Sequence, residues 1–139
     1  MMVIVKNHWD AGGGIYFFDQ ITDWLYSKGI KNIVWDRFNR SEKHNSSAQA
    51  KLEGGQADTA TVSNVLNVIA ERGSRITTIA TAYDSLKFGG TAYFSMYTAP
   101  KKGEVKGRDA YQLGKKADEY IPEVEEIFGA GNVTRKGQL

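Results

Sequence analysis

The residues best suited to chemistry stand in two short runs. One is Trp9-Asp10-Ala11-Gly12-Gly13-Gly14 and the other is Asn32-Ile33-Val34-Trp35-Asp36. Glycines let a backbone pass close to a ligand where a Cβ would collide. A helix that starts just after them offers free N–H groups to polar ligand atoms. An acid at the end of the next strand accepts hydrogen bonds from ribose hydroxyls. Gly12 and Asp36 lie 24 positions apart, close to the roughly 20 that such a unit requires. These are the parts of a nucleotide-cofactor site.

The elements that must hold those parts follow from hydrophobic period and from chain breakers. Residues 3–9 read as a first strand, polar at Lys6, Asn7 and His8, which the glycines end. Residues 15–28 read as a helix, because Ile15, Phe18, Ile21 and Leu25 recur at spacings of three and four and Gly29 follows as a stop. Residues 31–35 form a short strand. Residues 36–40 are a loop, and residues 41–53 are a polar, weakly helical stretch with Ser41 as its N-cap. The Thr- and Val-rich residues 57–63 read as a strand, 64–69 as a crossover turn and 71–86 as a helix. Gly89 and Gly90 mark a turn before a strand over 91–97. A long loop over 97–108, a helix over 111–128 interrupted near Pro122, and a closing strand over 132–139 complete the chain. Strands that alternate with helices pair in parallel through right-handed crossovers. The expected fold is a single α/β domain with a doubly wound, mostly parallel sheet over all 139 residues.

Composition narrows the function. With no cysteine, disulfides and thiolate metal sites are excluded, and two histidines, His8 and His44, are too few for a zinc cluster, so no metal is expected. No apolar run approaches the length of a membrane span. Lys6 interrupts the apolar start after five residues, so no signal peptide is read and the cytoplasm is the expected location. A net charge of +2 does not by itself imply a polyanion partner. Residues 98–117, however, carry Lys101, Lys102, Lys106, Arg108, Lys115 and Lys116 against Glu104 and Asp109. That local excess of positive charge attracts phosphate.

Four segments, in order, resemble a class I S-adenosylmethionine-dependent methyltransferase. Asp10-Ala11-Gly12-Gly13-Gly14 resembles the D-x-G-x-G first motif, and Ile33-Val34-Trp35-Asp36 the second strand with its ribose acid. Residues 57–69 resemble the fourth strand and its exit, and Leu86-Lys87-Phe88-Gly89-Gly90-Thr91 the L-K-P-G-G turn before the fifth strand. The resemblance implies a three-layer Rossmann-like sandwich and S-adenosyl-L-methionine as cofactor. It implies that Gly12 and Gly14 pass the methionine and ribose portions, that Asp10 binds the amino group and that Asp36 takes the ribose diol. Arg37 and Phe38 would flank the adenine, and Ser63 would reach the cofactor from the end of the fourth strand. Acceptor-side candidates are Asn64 and Tyr97, with Asp109, Tyr111 and His8 behind them.

The departures are as informative as the matches. Tyr16 stands where the family has a third glycine, and Phe88 where it has a proline. Only 21 residues separate Asp36 from Asp58, which leaves room for one helix, so the family's third strand is expected to be missing. Ser63-Asn64-Val65-Leu66 lacks the prolines and aromatic of the amino-methylating relatives. The expectation is therefore a minimal methyltransferase with an unidentified acceptor, nucleic acid being favoured by the basic 98–117 loop. The alternative is a cofactor-binding module without turnover, or a subunit that needs a partner. Gly55-Gln56-Ala57-Asp58 also occurs in lobes of solute-binding proteins, against which the lack of a signal peptide and the short chain speak, and a nicotinamide-dependent Rossmann enzyme leaves the Phe88–Thr91 turn unexplained. A reduced sheet exposes an edge, so a homodimer is expected.

Overall fold

The computed structural model describes residues 7–11, 17–36, 40–52, 55–63, 65–96, 103–106, 111–114 and 116–136. Strands β1 (Asn7–Ala11), β2 (Lys31–Trp35), β3 (Ala57–Ser63) and β4 (Leu86–Ser95) form one parallel sheet in the order β2-β1-β3-β4. Helices α1 (Phe17–Ser27), α2 (Glu42–Leu52) and α3 (Arg72–Ser85) connect them in turn, and α4 (Ile121–Phe128) follows later. Strands β5 (Gly103–Lys106) and β6 (Tyr111–Gly114) make a separate antiparallel hairpin.

Alternation along β2 shows which helix covers which side. Asn32 Nδ2 donates to Thr22 Oγ1 of α1 at 3.0 Å. The next residue, Ile33, belongs to a core shared with Ala48 and Leu52 of α2, Ile79 and Ala82 of α3, and Val124 of α4. Successive strand residues face opposite ways, so α1 lies on one side of the sheet and α2 and α3 on the other. This is what right-handed crossovers require when the chain first steps from β1 to β2 and then returns past β1 to β3 and β4. Ala57, Ala60 and Val62 of β3 are almost fully buried at the centre of that core. Phe94 of β4 meets Phe128 of α4 edge to face, with ring centroids 5.9 Å apart.

Helix ends follow the sequence signals. The Ile30 N–H donates to Leu25 O at 2.9 Å and the Gly29 N–H to Tyr26 O at 3.0 Å, with Gly29 at φ +81°. That pair of bonds satisfies the last carbonyls of α1, and glycine carries the left-handed residue without steric penalty. Ser41 Oγ accepts from the His44 N–H at 3.1 Å, so Ser41 caps α2 as expected. Pro122 sits in the first turn of α4 and helps start that helix instead of interrupting a longer one.

Four expectations are corrected. Gly89 and Gly90 lie inside β4, not in a turn ahead of it. Ala57 pairs with Leu86 and Thr59 with Thr91, so Asp58 alone stands opposite residues 87–90. This is a bulge, and Gly89 takes φ +83° within it. Residues 103–106 and 111–114, expected as loop and helix, pair as β5 and β6. The helix expected from 111 begins only at Ile121, after a 3-10 turn at Ala117–Tyr120. Residues 132–136 join no sheet, so the closing strand is not formed by the described residues.

Candidate functional site

In a parallel sheet of this kind ligands bind outside the carboxyl ends of the strands, at the point where the connections change direction. Here that point falls between β1 and β3. The backbone of Asp10, next to last in β1, lies between Val34 of β2 and Thr61 of β3, and Ala11 lies between Trp35 and Val62. Asp36 is one residue beyond β2. Ser63 and Ser95 close β3 and β4 side by side. The structure thus brings Asp10, Asp36 and Ser63 to one edge of the sheet. Gly12, Gly14, Arg37, Phe38, Asn64 and Tyr97 lie outside the described residues, as do Lys101, Lys102, Arg108 and Lys115 of the basic 98–117 segment.

Asp36 is held firmly. It is 3% exposed. Its backbone N–H donates to Asn45 Oδ1 at 3.1 Å, and Asn45 Nδ2 donates back to its carbonyl at 2.9 Å. The Arg40 N–H adds a third bond to the same carbonyl at 3.1 Å. One turn of α2 therefore clamps the end of β2. His44, the neighbour of Asn45, donates from Nε2 to Val34 O at 2.8 Å, in the tautomer that puts the proton on that nitrogen. Both side chains reach β2 because Ser41 fixes where α2 begins. The sequence reading missed Asn45 and His44 as positioning groups. The signal was present: an N-cap at 41 puts residues 44 and 45 in the first turn, beside the strand end that the loop leaves.

At the other end of the edge, Ser95 Oγ donates to Ser63 Oγ at 3.1 Å. The chain leaving β3 enters a 3-10 turn at Leu66–Val68, against which β6 packs. Asn67, in that turn, is 2% exposed, and among the described residues its Oδ1 meets no hydrogen-bond donor. A buried carbonyl oxygen of this kind costs free energy until a donor meets it. Sequence reasoning singled out Ser63 and Asn64 but passed over Asn67.

A cavity of about 120 Å³ lies elsewhere, past the end of β4, between Phe94, Met96, Tyr120, Val124 and residues 133–136. Neither Asp36 nor Ser63 lines it. No family model, characterised protein or solved structure matches the chain.

Proposed function

We propose that the chain is an S-adenosylmethionine-binding domain of the methyltransferase type, built on a doubly wound Rossmann-like sheet reduced by its third strand. The observation that carries this reading is Asp36, buried at the carboxyl end of β2 and fixed by Asn45 next to the end of β1. A ribose diol needs an acid at that position, held so that no ordering cost falls on binding. The strand order supports the reading as well. One strand, β2, flanks β1 on the side where the family has two, and among the described residues nothing pairs beyond it.

The residues fit the cofactor at both ends of the edge. Asp36 would hold the ribose, Asp10 the amino group, and Gly12 and Gly14 the backbone approach. The unmet Oδ1 of Asn67 is an acceptor for an N–H donor near the end of β3. Bound S-adenosylmethionine supplies an electrophilic methyl group, so the protein needs only to align an acceptor and accept a proton where one is released. Nucleic acid is the favoured acceptor, through the positive charge of residues 98–117. The chain would act in the cytoplasm, pairing as a homodimer through an exposed sheet edge. Among the described residues no helix is long and apolar enough to cross a membrane.

A second reading is favoured by the groups at the end of β3. Ser63, Ser95 and Asn67 are hydroxyls and a carboxamide, none of which titrates near neutral pH. That chemistry suits a cofactor-binding module better than a base-assisted transferase. Incubation with methyl-labelled S-adenosylmethionine and DNA, RNA, a protein lysate or a metabolite extract separates the two. Label in any acceptor fraction, reduced by Asp36→Ala, supports the transferase. Binding without label in any fraction supports the module.

A further inference from the structure

We infer that the cavity beyond β4 is a binding site for a small apolar carboxylate, separate from the edge that carries Asp36. Its volume of about 120 Å³ is close to the ~150 Å³ of an apolar cavity that accepts benzene. Phe94, Met96 and Val124 make its wall, and Tyr120, 1% exposed, backs it. The rim is cationic. Arg135 and Lys136 stand at the mouth, and among the described residues no acidic residue lines the cavity.

The rim is also built into place. Arg135 Nη1 donates to Asp118 Oδ2 at 2.7 Å, which ties residues 133–136 across the cavity to the 3-10 turn ahead of α4. A guanidinium carries five N–H donors, so this bond leaves others to point at an anion. Asp118 offsets much of the Arg135 charge, and Lys136 supplies the remaining positive charge. Apolar walls with a cation at the mouth select a ligand that is greasy at one end and anionic at the other. The volume limits the apolar end to about a benzene ring or a branched aliphatic chain. Phosphate esters of nucleosides are too large for this cavity, so the site is not a second cofactor pocket.

The test is a titration of the 15N-labelled full chain with benzoate and with benzamide, its neutral isostere, without S-adenosylmethionine. Benzoate is expected to give saturable shifts at the amides of Met96 and residues 133–136. Benzamide should bind about three- to fivefold more weakly, the range open to an exposed charge contact. Lys136→Gln, an exposed substitution that leaves the core untouched, should bring benzoate to the benzamide level. Val124→Phe should fill the cavity and remove both. Shifts that do not saturate overturn the proposal, as does benzoate binding that Lys136→Gln leaves unchanged. Because no cofactor is present, failure here leaves the reading of Asp36 standing, and the reverse also holds.

Discussion

Replacing Glu123 with alanine should be among the most damaging single changes to this fold. Arg75 of α3 and Glu123 of α4 form a two-pronged ion pair, with Nε to Oε2 at 2.9 Å and Nη2 to Oε1 at 2.8 Å. Their side chains are only 6% and 7% exposed. Arg75 Nη1 also donates to the carbonyls of Ile69 and Ala70, both at 2.9 Å, so the guanidinium joins α3, α4 and the turn leaving β3. Glu123→Ala removes the carboxylate that faces this buried cation and keeps the bonds to the two carbonyls. Breaking one side of a buried pair costs about 3–5 kcal/mol, and the remaining carbonyl bonds place the loss near the lower figure. For a domain of this length that corresponds to roughly 10–15 °C in Tm. Urea unfolding followed by circular dichroism measures it directly, with the midpoint falling and the slope unchanged. Arg75→Met combined with Glu123→Leu removes both charges and should recover most of the loss. A single-variant loss below about 1 kcal/mol, the value of an exposed pair, would contradict a buried, structure-joining role for Glu123. So would a double variant no more stable than the single one.

Two further outcomes follow from backbone and side-chain geometry. A Cβ on Gly55 would stand 2.5 Å from Leu86 O at φ +77°, whereas Gly29, at φ +81°, has nothing within 4 Å. Gly55→Ala should therefore cost about 3 kcal/mol from strain and overlap together, and Gly29→Ala only about 1 kcal/mol, both read from urea midpoints. Asn45→Ala removes both bonds that clamp the Asp36 backbone. It should lower stability by about 1–3 kcal/mol and weaken S-adenosylmethionine binding. Unchanged affinity in that variant would show that the clamp does not position the acid.

Local signals in the sequence carried the first two-thirds of the fold. The spans 31–35 and 57–63 are strands as expected, because their apolar and β-branched residues are bounded by glycines or polar turns. Ser41 announced α2 despite that helix's polar composition, since an N-cap is a local hydrogen bond that needs no buried face. Two of the misreadings share a cause: strand pairing, which the composition of one segment alone does not reveal. Gly89-Gly90 has the composition of a turn, but Asp58 opposite it turns the excursion into a bulge within β4. Tyr111 to Gly114 lies in a helix-compatible stretch, but β5 supplies strand pairing that composition does not reveal. At the candidate site, Asp36 and Ser63 were legible as strand-end residues. Asn45 and Asn67 were not, because their importance lies in one clamp and one unmet carbonyl that only three-dimensional placement exposes.

Calorimetric titration of the chain with S-adenosylmethionine and S-adenosylhomocysteine, with Asp36→Ala alongside, tests the cofactor site directly. One-to-one binding of both is expected, weakened at least about tenfold in the variant, since hydrogen bonds to a charged acceptor contribute roughly 1.5–3 kcal/mol. Absence of binding to either compound, or a variant that binds as tightly as the parent, would contradict it.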